Sequence, residues 1–298
     1  MSFDSIYRAD LFVGQTIIVT GGGSGLGRCI SHELAALGAR VVIVGRTRAK
    51  LEAVVSEIMG DGGICHAHVG DIRDEARMKE VVAVVAQAGP VAGLVNNAGG
   101  QSASPLLEVS KKGFDEVLQT NTLGTFVLAR EVVEQGMGES GGSIVNITAT
   151  IECGAPGLGH SAAARAAVEN LSKTAAVEWG PMGVRVNCIA PGFIDSSGAD
   201  RYESDSGKGR RWFETMRSIT GHIPLKRTGT ESEISSAVCF LLGPAASYVT
   251  GETLHVDGAL PLSPGWYPPG PGAGSKPFTG FHRGRPPKAW GRSEDPKN

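Results

Sequence analysis

A chain of 298 residues, 41% of them apolar, is long enough to bury one large core. Its formal charge of -2, with no long run of Lys or Arg, excludes the basic surface that nucleic acid or an anionic membrane requires, so neither is expected as a partner. The five cysteines (Cys29, Cys65, Cys153, Cys188, Cys239) are odd in number and lack a Cys-x-x-Cys pair, which argues against a disulfide framework and a zinc site; with no apolar span or signal core, a cytoplasmic protein without metal is expected.

Short β-branched runs alternate with longer amphipathic stretches. In chain order the runs are QTIIVT (15–20), ARVVIVG (39–45), ICHAHV (64–69), VAGLVNN (91–97), GSIVNIT (142–148), VRVNCIAP (184–191) and ETLHVDG (252–258). Near-continuous apolar runs suit strands covered on both faces, and the stretches between them are long enough for crossover helices. The expected fold class is therefore α/β, a doubly wound parallel sheet of about seven strands with helices on both faces. Near Pro261 the alternation stops. Residues 1–260 are read as one domain and residues 261–298, dense in Pro and Gly, as a tail. That composition builds no core, but Trp266, Tyr267, Phe278, Phe281 and Trp290 are apolar anchors, so the tail is expected to lie across this or a neighbouring subunit.

Directly after the first run comes TGGGSGLG, Thr20 to Gly27. Gly21, Gly25 and Gly27 permit a tight turn and let backbone N–H groups, with Thr20, Ser24 and Leu26, approach a pyrophosphate at a helix N-terminus. Strand before and helix after make this a strong dinucleotide signal and the fold Rossmann-type. The second strand ends VGRTR, where Gly45 stands in place of an acidic residue that would grip a ribose hydroxyl. Arg46, with Thr47, can bond a 2′-phosphate instead, so NADP(H) is the expected cofactor. Arg48 reads as a solvated charge. Asp71, past the third strand, is placed to hydrogen-bond the adenine.

With TGGGSGLG, Gly70-Asp71, NNAG (96–99), Asn121 in QTNTLGT, GSIVNIT and NCIAPG in place, the chain resembles the short-chain dehydrogenase/reductase family over residues 12–260. The resemblance implies that Asn96, Ala98 and Gly99 brace the central strand and line the adenine ribose. It also sets Pro191, Gly192, Ile194 and Ser196 against the nicotinamide carboxamide. The family's reactive set is Asn, Ser, Tyr and Lys. Here Asn121 is kept, Thr148 takes the Ser position, Ser161 the Tyr position and Arg165 the Lys position. A serine hydroxyl is a far weaker acid than a phenol, and Arg165 holds ribose hydroxyls without giving up a proton near neutral pH. Ordinary ketone reduction by the usual relay is thereby put in question.

The runs NNAGGQ, HSAAARAAVENLSKTAAVEWG and SAVCFLLGPAASYVTGETLHVDG are similar to those of the peroxisomal trans-2-enoyl-CoA reductases and, more distantly, the 2,4-dienoyl-CoA reductases. That likeness implies an NADPH-dependent enoyl-CoA reductase of fatty acid metabolism acting on an acyl-CoA thioester. In conjugate reduction charge gathers on the thioester oxygen, so donors aimed at an enolate matter more than a phenol. Thr148, Thr150, Ser161 and Arg165, with Asn121, form the expected catalytic set, and His160 is either a titrating group or a histidine bonded to a backbone carbonyl. Glu169 is expected to pair with Arg165 on the helix surface, and Lys173 to face solvent. Two other readings stand: a ketone or alcohol oxidoreductase whose acid has moved to Tyr202 or His160, and a catalytically silent cofactor-binding subunit of a mixed oligomer.

Residues 195–222 read as a lid, flexible first and then amphipathic through Trp212, Phe213 and Met216, with Lys208, Arg210 and Arg211 able to meet CoA phosphates. The apolar helix ESEISSAVCFLLG (231–243) and the strand after it resemble the family's subunit interface. A homotetramer is expected.

Overall fold

The computed structural model describes residues 2–197, 219–263, 269–272 and 274–285. In chain order the first half holds β1 (Thr16–Thr20), α1 (Gly25–Ala36), β2 (Arg40–Gly45), α2 (Arg48–Gly60), β3 (Ile64–Val69), α3 (Glu75–Ala86), β4 (Val91–Asn96), α4 (Lys111–Leu118) and α5 (Gly124–Val132). There follow β5 (Gly142–Ile147), α6 (Gly159–Trp179), β6 (Val184–Pro191), β7 (Ile194–Asp195), β8 (Gly229–Thr230), α7 (Glu231–Leu242) and β9 (Thr253–Val256). Seven strands form one parallel sheet in the order β3-β2-β1-β4-β5-β6-β9, as the run pattern predicts.

Alternation along the strands splits the core into two layers. Ile17 and Val19 of β1 point to the face covered by Ile30 and Leu34 of α1 and by Ile234 and Val238 of α7. Ile18 points to the other face, beneath Val81 and Val82 of α3, Leu128 of α5 and Ala175 of α6. A period of two against helices on both sides buries every β1 side chain, which is why the run carries no polar alternation. The strand order reverses between β1 and β4, so their carboxyl ends open a crevice where α/β sheets bind ligands.

The apolarity of α7 has its explanation inside the chain. Ile234, Val238, Cys239, Leu241 and Leu242 are buried against α1 and the sheet, so this face of the helix is covered within the chain and its apolarity needs no partner subunit. A capping box starts the helix: Thr230 Oγ1 accepts from the Glu233 amide, and Glu233 accepts from the Thr230 amide. The described part of the tail crosses its own subunit. The Phe281 amide donates to Ser232 Oγ at 3.0 Å, the Asp4 amide donates to the Gly280 carbonyl at 2.9 Å, and the Phe281 ring stacks on Phe3. Trp266, Tyr267 and Trp290 lie outside the described residues. Among the described residues no helix is long and apolar enough to cross a membrane.

Candidate active site

The glycine loop is locked to the neighbouring strand end. Thr20 is buried, its Oγ1 accepts from the amides of Asn97 (3.0 Å) and Ala98 (2.9 Å), and Asn97 Nδ2 donates to the Thr20 carbonyl at 2.9 Å. Asn97 was not singled out in the sequence, although its place inside NNAG was the available signal. A Cβ at Gly27 would overlap the Gly21 carbonyl oxygen, so the turn closes only with glycine there. Ser24 stands exposed at the N-terminus of α1, whose first turn contains no acidic residue, and the positive helix end is left for an anion.

Arg46 and Thr47 are exposed just beyond β2. The Arg73 guanidinium hydrogen-bonds both carboxylate oxygens of Asp71 and, with help from nearby Arg46, holds that carboxyl below the usual range. Asp71 therefore reaches the crevice as an anion. Arg48 pairs with Glu52 one turn on, in keeping with an ordinary surface charge.

Two residues expected near the ligand are held by the protein. Asn96 is buried, and its amide donates to Asn146 Oδ1 at 2.9 Å, so its side chain braces β4 on β5, as the resemblance implies. Ser196 donates to Glu231 Oε1 at 2.6 Å and is tied to α7. At the end of β6 the Pro191 carbonyl accepts from the Thr150 amide and the Gly192 amide donates to the Val256 carbonyl. Ile194 follows, half-buried in β7.

The helix from α4 to α5 loosens into a π-turn at Gln119–Leu123, and this widening turns Asn121 inward. Asn121 is fully buried; its Oδ1 accepts from the Gly100 amide at 2.8 Å and its Nδ2 donates to the Gly100 carbonyl at 2.9 Å. Gly99 sits between Asn121 and Arg165, and a Cβ there would overlap the Arg165 guanidinium. Arg165 is half-buried and donates to the Ile147 carbonyl at the end of β5. The cation thus lies beside Gly99 and Asn121.

Ser161 is buried one turn earlier on α6, its hydroxyl 3.0 Å from Gln101 Oε1. Gln101 was missed as a partner although it closes the run NNAGGQ. The Thr148 hydroxyl lies 2.9 Å from Glu169 Oε1 and 3.2 Å from the Ile189 carbonyl, so its one hydrogen serves an internal acceptor. Glu169 is half-buried and bonded to Thr148, which corrects its expected place as a surface partner of Arg165; burial raises its pKa. Thr150 lies 3.4 Å from Asp257 Oδ2, and Lys173 is exposed as expected.

His160 fits neither of its two expected roles cleanly. Its ring is buried, Nε2 is 3.5 Å from Ser102 Oγ, Nδ1 has no hydrogen-bond partner, and burial lowers its pKa, so it stays neutral near pH 7. Among the described residues the phenols are Tyr7, which donates to the Ser236 carbonyl, and Tyr248, which is fully exposed; neither approaches Ser161. Tyr202, Lys208, Arg210, Arg211, Trp212, Phe213 and Met216 lie outside the described residues.

A doubly wound sheet with a glycine loop at its switch point and an Asn121–Arg165 pair beside it defines a nicotinamide-dinucleotide oxidoreductase. Comparison with known proteins gives the family. The profile described as enoyl-(acyl carrier protein) reductase matches residues 21–260, and the chain belongs to the short-chain dehydrogenase/reductase family. It is 36% identical over 264 residues to a peroxisomal 2,4-dienoyl-CoA reductase [(3E)-enoyl-CoA-producing] of Danio rerio, covering 88% of this chain and 86% of that one. It is 34% identical over 251 residues to the 3-oxoacyl-[acyl-carrier-protein] reductase FabG of Staphylococcus epidermidis, covering 83% and 99%. Among solved structures, a citronellol catabolism dehydrogenase (AtuB) of Pseudomonas aeruginosa PAO1 is 51% identical, with a TM-score of 0.76 over 87% of this chain and 99% of that one.

Proposed function

We propose that the chain is an NADPH-dependent reductase of the C=C bond in a 2-enoyl thioester, with an acyl-CoA as substrate. The observation that carries this reading is the pair on α6: Ser161 hydrogen-bonded to Gln101, and a guanidinium, not an amine, directed into the crevice. Among the described residues such a site supplies fixed positive charge and hydrogen-bond donors but no phenol to protonate an alkoxide. Bound NADPH supplies a hydride, delivered to Cβ of the enoyl group. Arg165 would hold the ribose hydroxyls of NADP(H) and would keep a permanent charge near the thioester oxygen as it turns into an enolate oxygen. Asn121 and Gly99 fix where that guanidinium lies. Water protonates Cα. Arg46, in place of a carboxylate, favours the 2′-phosphate of NADP(H) over the free hydroxyl of NAD(H).

Likeness to a dienoyl-CoA reductase supports the thioester, and likeness to the citronellol catabolism dehydrogenase supports an acyclic, methyl-branched acyl body. That second likeness also favours one alternative: oxidation of a terpenoid alcohol or reduction of its aldehyde. The deciding assay follows NADPH oxidation with straight-chain and branched 2-enoyl-CoA esters, ketones and citronellal, and NADP+ reduction with citronellol. Turnover of enoyl-CoA esters is expected. Turnover confined to ketones, aldehydes or alcohols would reject the proposal, and tight NADPH binding with no turnover would identify a silent subunit.

A further inference from the structure

Far from the hydride site, three chain segments bring metal-binding atoms together. His32 lies on α1, Asp61 directly follows α2, and His282 lies in the tail; one ligand atom from each falls within 4.8 Å of the others. The three side chains are well shielded, at 2%, 11% and 14% exposure.

The hydrogen bonding leaves one inner atom, His32 Nδ1, mismatched. His32 Nε2 is 3.1 Å from Glu57 Oε2, and a neutral imidazole has one N–H to give. With that hydrogen on Nε2, Nδ1 presents a lone pair to Asp61 Oδ2 at 3.6 Å, beyond hydrogen-bond range and acceptor facing acceptor. His282 approaches the same oxygen from the other side, its Nε2 at 2.9 Å, while its buried Nδ1 has no partner.

We propose that His32 Nδ1, Asp61 Oδ2 and His282 Nε2 form a zinc site that clips the C-terminal tail to the sheet's α1–α2 side. Tetrahedral zinc at about 2.0–2.1 Å from its ligands sets them about 3.3 Å apart, and the separations of 2.9 and 3.6 Å bracket that value. Two imidazoles and one carboxylate are a zinc donor set, with the fourth position left to water. The surrounding groups have the form of a supporting shell. Glu57 accepts the outer N–H of His32, as carboxylates do behind zinc-bound imidazoles, and Arg28 fixes Glu57 through Nε (2.8 Å) and Nη2 (2.9 Å). Arg283 donates to Asp61 Oδ1 at 2.7 Å from Nη2 and to Oδ2 at 3.0 Å from Nε; the first bond survives when Oδ2 turns to a metal. The two guanidiniums match the two carboxylates in charge, so the cation enters a neutral site. Phe281, whose ring centroid is 5.1 Å from that of His32, closes one side against water.

The test is a titration of chelator-treated, desalted full-length protein with zinc chloride in competition with a chromogenic chelator, paired with thermal melts with and without zinc. One zinc per chain is expected, with a melting temperature raised by the metal. His282→Ala, a change in the tail that leaves both core layers intact, should weaken binding by about a hundredfold and abolish the thermal shift, whereas His222→Ala, at an exposed position, should change neither. Cobalt in place of zinc should give the visible absorption of a tetrahedral ion in the wild type and not in His282→Ala. Absence of zinc binding at micromolar concentration, or equal affinity in the wild type and His282→Ala, would overturn the proposal.

Discussion

At Ser161 the hydroxyl is buried against Gln101, and it is too weak an acid to replace a phenol. Ser161→Ala is therefore expected to lower kcat for enoyl-CoA reduction by less than about threefold, whereas a working general acid would cost about 10²-fold or more. Steady-state kinetics on the best enoyl ester separate the two. Arg165 carries the opposite expectation. Its charge is oriented by the Ile147 carbonyl beside Gly99 and Asn121, so Arg165→Ala should reduce kcat/KM by about 10²-fold while the thermal melt moves little. Arg46→Asp should raise KM for NADPH and lower that for NADH, because a carboxylate repels the 2′-phosphate and bonds the free hydroxyl. A preference for NADPH that survives this change would remove Arg46 from the cofactor site. Most of these residues were legible in the sequence because motif spacing places them: Asn121, Thr148, Ser161 and Arg165 fall where the family's reactive set falls. Their partners were not. That Thr148 meets Glu169 depends on how α6 lies across β5, and no spacing encodes that.

Among the elements, the strands were legible almost to the residue, with ICHAHV and VRVNCIAP matching β3 and β6 end to end, because short β-branched and apolar runs bounded by turn residues mark them even at the half-exposed edge strand β3. The apolarity of α7 was equally visible, but a sequence shows that a face is apolar and not what covers it. What covers it is α1, and the contact contains a carboxyl. Glu33 is fully buried, accepts from Ser5 Oγ at 2.7 Å, and burial raises its pKa. Its native state therefore keeps a proton that the unfolded chain loses near the ordinary carboxylate value of about 4.3. Stability attributable to this group is complete below that pH and falls as pH rises toward the folded value, by up to about 1.4 kcal/mol per unit. Glu33→Gln should remove the slope, so urea midpoints of variant and wild type should diverge in the variant's favour from about pH 5 upward. Parallel curves would show that Glu33 is ionised in the native state. The cap of α7 gives a simpler expectation: Thr230 serves both the Glu233 amide and, at 2.6 Å, the Phe278 carbonyl of the tail. Thr230→Ala should cost about 1–2 kcal/mol in denaturant unfolding.

For the whole molecule the question is whether the tail belongs to the fold or merely rests on it. Composition predicted anchors in a segment without a core of its own, and Phe281 is one: it is 7% exposed, stacked on Phe3, 5.8 Å between ring centroids, with the Arg28 guanidinium 5.1 Å from its ring. Its contacts lie on α1 and the N-terminal segment, away from the carboxyl ends of β1 and β4 where the nucleotide crevice opens. Stability and catalysis should therefore separate. Phe281→Ala removes a buried aromatic side chain, and truncations of this kind cost about 3 kcal/mol. In a chain of this size that corresponds to a fall in Tm of roughly 6–12 °C. At a temperature where both proteins are folded, KM for NADPH should be the same in variant and wild type, because no residue of the glycine loop touches Phe281 in the stacked cluster. An unchanged Tm would mean the tail only rests on the surface. A raised KM with an unchanged Tm would mean that α1 transmits the loss to its N-terminus, and the tail would then act on cofactor binding instead of on the stability of the fold.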